Sequence, residues 1–185
     1  MNIIKDIISR KSFSKLMLPH PTQKEMELVY NAALRAPDHA WLRPSRFVEI
    51  TGAGLDKLSN IFETFAKKNI KDINEQTINK YKNAPYRAPM IIMVLSNIKE
   101  HPKVPKIEQM LSTAAATQNI LLALHSLNYG AIWRTGALAL NDEILGCFNL
   151  PSNQIILGYL YVGTSIGEPK KIPNININDF VDRWR

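Results

Sequence analysis

The sequence predicts a single domain, residues 1–185, in which α-helices pack on a buried β-sheet. Several segments carry apolar residues every three or four positions, which is typical of helices with one buried face. Residues 90–95 are continuously apolar instead and indicate a central strand. The chain has 185 residues, 45% of them hydrophobic, which is enough for one core, and no segment rich in Gly, Ser or Pro divides it.

Two helices are predicted before the first strand. Isoleucines at helical spacing in residues 1–9 indicate an amphipathic helix that ends at the Arg10 turn. Thr22 followed by Glu25 forms a capping box, so a second helix begins there and ends before Pro37.

A strand, a turn and a third helix follow. Residues 47–50 alternate as a strand, residues 52–54 form a Gly-Ala-Gly turn, and a helical stripe begins at Leu55. The turn resembles part of a dinucleotide-binding motif, with Asp72 about twenty residues on. Lys57 stands where that motif has its third glycine, so a plain turn is favoured.

The second half of the chain alternates long and short elements. Residues 107–127 contain no Gly or Pro and are apolar on most faces, which predicts a long helix buried on most sides or shared with a second subunit. Gly130 follows it, strands are predicted at residues 131–133 and 155–162, and Asn141 caps a short helix.

Composition excludes several classes of protein. The single cysteine, Cys147, permits no intramolecular disulfide, and the four histidines show no metal-ligand spacing, so no metal site is expected. No apolar run is long enough to span a membrane and no leader is recognised, so a cytoplasmic protein is expected. The net charge of +7 is spread along the whole chain without a recognition motif, which argues against nucleic acid as a partner.

Three polar clusters form the candidate site. A flat ring, a planar cation and a hydroxyl follow the long helix, and two upstream clusters supply donors for an anion. In order, they are Trp133, Arg134 and Thr135; Arg10, Lys11 and Ser12; and the segment from Arg35 to His39. Residues 131–136 are also compatible with an ordinary buried strand. Together the clusters favour a ligand that is aromatic at one end and anionic at the other, and flavin mononucleotide (FMN) is such a ligand.

These clusters belong to a longer series of motifs in one order. The series comprises residues 10–12, 19–22, 35–39, 43–47, 83–89, 103–109, 132–137 and 158–164. In this order the motifs resemble those of the nitroreductase family, and within it the minimal, YdjA-type branch of NAD(P)H nitroreductases. The resemblance implies an α+β fold with a mixed β-sheet sandwiched by helices. It also implies a homodimer that binds FMN at its interface.

Site residues carry over by position. By resemblance, Arg10, Lys11 and Ser12 bind the FMN phosphate and ribityl chain, which suits the donors of a guanidinium. Arg35 and His39 match FMN contacts, and Trp133, Arg134 and Thr135 match a Trp-Arg-Ser segment. The segment aligned with nicotinamide binding comprises Ala123, Leu124, His125, Ser126, Leu127 and Asn128. Three simpler interpretations stay open: Arg35 in an ion pair, His39 as a turn cap, and Trp133 in the core.

The chain departs from the family at two positions beside the expected flavin. Arg43 and Ser45 stand where the family commonly has Gln and Trp, so an amide becomes a cation and an aromatic ring is lost. A cation at the flavin pyrimidine would raise the reduction potential of the flavin. Lys170 and Lys171 either reach the phosphate or lie in solvent, and solvent is favoured.

The resemblance implies an FMN-dependent oxidoreductase with a ping-pong cycle. A hydride passes from NAD(P)H to FMN and then to a small-molecule acceptor such as a nitroaromatic or a quinone, and no catalytic acid or base is required of the protein. The alternatives are a related flavin reaction, a non-enzymatic flavin carrier and a cofactor-free basic binding module. The tail, residues 165–185, carries large apolar residues without a nearby core, so we expect it to pack on the partner subunit.

Overall fold

A computed structural model describes residues 3–167 and 171–185, and it shows an α+β fold. The helices are α1 (Ile3–Ser9), α2 (Gln23–Ala33), α3 (Ala53–Asn69), α4 (Glu75–Lys82), α5 (Lys106–Ser126) and α6 (Asp142–Phe148). The strands are β1 (Leu16–Met17), β2 (Ser45–Thr51), β3 (Met90–Asn97), β4 (Gly130–Arg134) and β5 (Gln154–Ser165). Short 3-10 turns lie at His39–Trp41, Pro85–Arg87, Gly136–Leu138 and Ile177–Asp179.

The strands form one sheet with β5 at its centre. β3 pairs with one edge of β5 and itself pairs with β2, while β4 and β1 pair with successive parts of the other edge of β5. Every pairing within the described ranges is antiparallel, which corrects the mixed sheet that the resemblance implied. Connections can leave and return at the same end of the sheet: Thr51 at the end of β2 pairs with Met90 at the start of β3.

Helices cover both faces of the sheet, as expected. Alternate residues of β3 point to opposite layers because the side-chain period of a strand is two. Ile91, Met93 and Leu95 pack in the core beneath α3 and α6, whereas Met90, Ile92 and Val94 pack in the core beneath α2 and α5. The two cores therefore fix the central strands of the sheet, β3 and β5, from both faces.

Local signals located most of the elements. The Thr22 side chain accepts the Glu25 N–H while the Glu25 carboxylate accepts the Thr22 N–H, which confirms the capping box of α2. Asn141 caps α6 through the N–H of Glu143, also as predicted. The Gly52 turn begins α3 beside an antiparallel strand, so it is the plain turn favoured by the sequence.

Two elements were not predicted. β1 has only two residues, which is too short for an alternation to register. α4 has no buried residue, so it shows no apolar stripe.

Large apolar side chains stay exposed at both ends of the chain. α1 buries none of its residues, and Ile3 is 70% exposed. In the tail, Phe180 is 75% and Trp184 99% exposed. None of the helices in the described ranges is long and apolar enough to cross a membrane.

Candidate functional site

The Arg10 turn lies beside β4. The N–H of Phe13 donates to the carbonyl of Ala131, 3.1 Å away, on the edge of β4 that does not pair with β5. The side chains of Arg10, Lys11 and Ser12 have no hydrogen-bond or ion-pair partner among the described residues, so their donors are available for a ligand. Two of the three predicted clusters therefore lie beside one strand, whose residues 131–134 span about 10 Å at roughly 3.3 Å per residue.

Trp133 packs into the core on the α5 side of the sheet. Its ring is half-buried, and Nε1 donates to the carbonyl of Leu157 at 3.2 Å. Gly158 makes room for the ring: it has a φ of +142°, and a Cβ there would lie 2.3 Å from Trp133 Nε1. The core interpretation that the sequence left open thus has a structural basis, and a contact between Trp133 and FMN stays a prediction.

Arg134 points to the opposite face because side chains alternate along a strand. Its guanidinium carbon lies 5.4 Å from the centre of the Tyr161 ring. Its Nε is buried and has no hydrogen-bond partner, which is costly for a donor of a charged group. Thr135, which follows at the end of β4, is exposed.

A cavity of about 490 Å³ opens at this end of β4, and three cations line it: Lys80, Arg87 and Arg134. Its remaining wall is formed by Tyr81, Ala84, Ile132, Trp133, Thr135, Gly136, Ala137, Leu138, Tyr159 and Tyr161. The lining contains no carboxylate, and none of the three cations forms an ion pair within the described residues. The cavity is therefore electropositive, aromatic on one wall, and within the size range of ligand pockets.

The pKa values of the two tyrosines in this wall are shifted by burial and, for Tyr161, by the neighbouring positive charges. Burial raises the pKa of Tyr161, and the positive charges of Arg134 and Arg87 oppose that rise. Burial also raises the pKa of Tyr159, whose hydroxyl is buried without a hydrogen-bond partner. Both phenols are therefore neutral near pH 7.

Sequence reasoning did not assign Lys80, Arg87, Tyr159 or Tyr161 to the site. Arg87 and the tyrosines lie within the motifs that carried the resemblance, but no local spacing connects them to Arg134. Lys80 belongs to α4, which sequence analysis did not detect. Only the packing of α4 near the sheet brings these residues together.

Arg35 and His39 lie elsewhere. Arg35 lines an apolar groove of about 610 Å³ formed by α1, α2 and α5. His39 Nδ1 lies 2.6 Å from Glu108 Oε2, at the start of α5. Neither residue lines the cavity at the end of β4, because they belong to the helical layer on the other face of the sheet. One chain therefore does not bring all three predicted clusters together.

The segment predicted to bind nicotinamide is the last part of α5. Ala123 and Ser126 line the same apolar groove as Arg35. Leu124 is fully buried and Leu127 packs against the core. His125 Nε2 lies 2.9 Å from the hydroxyl of Ser9 in α1, and Asn128, with a φ of 65°, follows the end of the helix. Nicotinamide binding by this segment stays a prediction. Of its residues, Ala123 and Ser126 face the apolar groove, where a ligand could contact them.

Arg43 is engaged away from the cavity. Its backbone N–H donates to Asp38 Oδ2 at 2.8 Å, and its guanidinium lies 5.2 Å from the Trp41 ring centre. Ser45 donates to the hydroxyl of Thr113 at 3.3 Å. Lys171 is exposed, as favoured, and Lys170 lies outside the described residues.

Comparison with known proteins gives one family. Residues 7–164 match the model of the nitroreductase family. The chain is 35% identical over 179 residues to YdjA of Escherichia coli K12, whose name proposes NAD(P)H nitroreductase activity, and the match covers 97% of this chain and 96% of YdjA.

Solved structures agree with the fold. A nitroreductase-like family protein from Bacillus cereus superimposes with a TM-score of 0.85 at 21% identity, covering 100% of this chain and 96% of that one. The NADPH:FMN oxidoreductase of Vibrio harveyi, solved in complex with NAD+, superimposes with a TM-score of 0.76 at 18% identity, covering 100% and 78%.

Proposed function

The chain belongs to the nitroreductase family of oxidoreductases, and we propose that it uses FMN to pass electrons from NAD(P)H to a small organic acceptor. The observation that carries this proposal is the electropositive cavity at the end of β4, with the Arg10 turn on the same strand. FMN is complementary to this surface, because its planar ring carries hydrogen-bond acceptors and its phosphate is negatively charged.

The residues present fit that group. Arg10, Lys11 and Ser12 have free donors for a phosphate, and charge-assisted bonds to phosphate are among the strong ones. At the other end, Arg134 lines the cavity and would supply positive charge to the bound group. When bound, FMN would supply the redox chemistry, accepting a hydride from NAD(P)H and delivering electrons to a nitroaromatic, a quinone or a similar acceptor.

The role of the protein's own residues is to bind the cofactor and to orient it. Tyr159 and Tyr161 are neutral phenols at pH 7, and burial raises the pKa of both further, so neither exchanges protons in the working pH range. No carboxylate or histidine lines the cavity, so its wall offers no general acid or base of the usual kind. The cycle that fits such a site is a ping-pong exchange of NAD(P)H and acceptor over one cofactor.

We further propose that the working unit is a homodimer. α1 exposes an isoleucine surface beside the apolar groove, and the tail exposes Phe180 and Trp184. Each large side chain buried in an interface would contribute about 1.5 to 3 kcal/mol. A two-fold partner would also explain why Arg35 and His39 lie on a different surface from Arg134: the partner's copies would complete each site.

A cytoplasmic location is part of the proposal. NAD(P)H is an intracellular reductant, and the chain's single cysteine excludes a stabilising disulfide within the subunit.

Colour and kinetics test the proposed function. The purified protein should absorb at flavin wavelengths and release FMN on denaturation. Initial rates at several fixed acceptor concentrations should give parallel double-reciprocal lines against NAD(P)H. A colourless protein that does not take up added FMN would favour a cofactor-free binding module. A flavin-loaded protein that NAD(P)H does not reduce would favour a flavin carrier.

A further inference from the structure

The loop between α2 and β2 exposes a tryptophan ring to solvent. Trp41 closes the 3-10 turn His39–Trp41 and is 78% exposed. Tryptophan is on average a highly buried residue, and apolar surface left in water costs free energy. The ring therefore presents apolar area that a ligand or a partner would cover.

The backbone that carries this ring is strained. Ala40, Trp41 and Arg43 have φ values of 56°, 53° and 53°, in the left-handed region that residues with a Cβ rarely adopt. Such residues persist only where the surrounding structure holds them in place, and they cluster at ligand-binding sites. Three of them within four consecutive positions make this loop a candidate for a functional role.

Contacts on both sides of Trp41 hold the loop in this conformation. Asp38 Oδ2 accepts the backbone N–H of Arg43 at 2.8 Å, and His39 Nδ1 lies 2.6 Å from Glu108 Oε2, which ties the loop to α5. The guanidinium carbon of Arg43 lies 5.2 Å from the centre of the Trp41 ring, over one face. The ring is therefore fixed by Arg43 on one side, and its exposure leaves the other face open.

The same loop lacks an aromatic ring at another position. Ser45 stands where the family commonly has Trp, and its hydroxyl donates to Thr113 Oγ1 at 3.3 Å, toward α5. Trp41 comes four residues earlier, between His39, which matches an FMN contact, and Arg43, which stands at a position beside the expected flavin. The loop therefore offers an aromatic surface at a different position from the usual one.

We propose that Trp41 is the stacking surface for the electron acceptor and favours acceptors with a flat aromatic ring. This inference rests on the proposed function. An electron-poor ring, such as that of a nitroaromatic or a quinone, stacks on the electron-rich face of an indole. Because Arg43 and the braced loop already fix the indole, little conformational freedom is lost when the acceptor binds.

The choice between acceptors tests this role. Menadione, a quinone with a flat aromatic ring, is compared with ferricyanide, which has no ring to stack. Loss of one stacked aromatic pair corresponds to about three- to tenfold in binding. In Trp41→Ala, the ratio of kcat/KM for menadione to kcat/KM for ferricyanide should fall by about that factor, and Trp41→Phe should recover most of it. Leu28→Ala, which removes an exposed apolar side chain from α2, should leave the ratio at the parent value. Equal ratios in Trp41→Ala and the parent would overturn the proposal.

Fluorescence provides a measurement that needs no turnover. The chain has three tryptophans, so Trp41→Phe removes one emitter. Without NAD(P)H, menadione should quench the tryptophan emission of the parent protein in a saturable manner, because the bound ring contacts the indole. Trp41→Phe should lose the saturable part and keep the linear, collisional quenching of other exposed rings such as Trp184. Saturable quenching of equal size in the variant would place the acceptor elsewhere and refute the role of Trp41.

Sedimentation separates acceptor binding from subunit contact. A ring that packs between subunits would also be exposed in one chain, so Trp41→Ala should sediment as the parent does. Loss of the dimer in this variant would assign Trp41 to the subunit interface and overturn the proposal. A parent protein whose flavin is not reduced by NAD(P)H would refute the proposed function and this role together. An active protein whose choice of acceptor does not depend on Trp41 would refute this role alone.

Discussion

At the scale of single residues, the candidate site contains two unfavourable features, a backbone conformation with positive φ at Gly158 and a buried, unpaired donor in Arg134. Gly158 adopts a φ of +142°, which residues with a Cβ rarely adopt, and this lets Trp133 lie against the centre of β5. On the other face of β4, the Arg134 guanidinium lies over the Tyr161 ring while its Nε stays unpaired. Stability and ligand binding can therefore be separated by single substitutions.

Gly158→Ala should destabilise the fold. The backbone strain costs roughly 1–3 kcal/mol, and the new Cβ would lie 2.3 Å from Trp133 Nε1 and 2.6 Å from the Arg134 carbonyl. We expect the free energy of unfolding in urea to fall by at least about 2 kcal/mol. Gly146→Ala is the control, because that helical glycine has open space around it and should gain about 0.5–1 kcal/mol. Equal stability of the two variants would contradict this account of Gly158.

Arg10→Ala should lose flavin while staying folded. The Arg10 side chain forms no bond within the described protein, so its removal costs little stability. Loss of a charge-assisted phosphate contact should cost about 1.5–3 kcal/mol of binding, roughly ten- to a hundredfold in affinity. Titration with FMN measures this, with Lys57→Ala on the exposed side of α3 as a charge-matched control. Equal FMN affinity in the two variants would remove Arg10 from the site.

At the scale of elements, β4 organises the site. Its free edge holds the Arg10 turn, its alternating side chains send Trp133 and Arg134 to opposite layers, and its end opens the cavity. α2 supplies the other predicted cluster, because Arg35 follows its last turn. The start of α2 is stabilised by the capping box, which also contacts the layer below: Tyr129 Oη donates to Glu25 Oε2 at 3.1 Å.

Thr22→Ala should weaken α2 by about 1 kcal/mol, because the Glu25 N–H loses its acceptor. The backbone N–H of Thr22, with its hydroxyl, lowers the pKa of Glu25. A carboxyl with a lowered pKa stabilises the fold above its unfolded pKa and loses that contribution as the pH falls through the folded pKa. Urea unfolding at pH 7 and pH 3 should therefore show a smaller difference between variant and parent at pH 3. An equal difference at both values would argue against the reciprocal cap.

At the scale of the whole molecule, the described chain leaves an incomplete surface. α1 has no buried residue, residues 171–185 of the tail are exposed, and the groove between α1, α2 and α5 is apolar. Arg35 borders that groove, so the same surface carries both the exposed apolar area and part of the predicted FMN site. A second copy of the chain would cover the area and bring the clusters together.

Deletion of residues 171–185 should weaken dimerisation and flavin retention together. Phe180 and Trp184 would each contribute about 1.5–3 kcal/mol when buried against a partner, which offsets part of the conformational entropy lost when the tail is ordered. Sedimentation of full-length and truncated protein, with flavin absorbance recorded, measures both effects. Asn178→Ala, a polar change in the same tail, should alter neither. A truncated dimer as tight and as yellow as the full-length protein would refute the role of the tail, and a monomeric full-length protein would refute the dimer.

The sequence by itself determined the elements whose stability is local. α3, β3 and α5 were located by apolar spacing, and α2 and α6 by the side chains of Thr22 and Asn141 that cap them. It also grouped the Arg10 turn, residues 35–39 and residues 133–135 into one candidate site. The structure places the first and third of these clusters beside β4, and the binding roles of all three stay predictions. The apolar spacing and the capping side chains that locate the helices and strands lie within a few residues of one another, so they can be recognised without knowing what each element packs against.

Only the tertiary structure decided which residues share the cavity. Lys80 and Arg87 join Arg134 because α4 and the turn before β3 pack beside the end of β4, and α4 has no apolar stripe that could have revealed it. The direction of every strand pairing and the separation of Arg35 from Arg134 are likewise long-range results. They depend on which surfaces bury one another across the sheet, and the spacing of residues along the chain does not encode that choice.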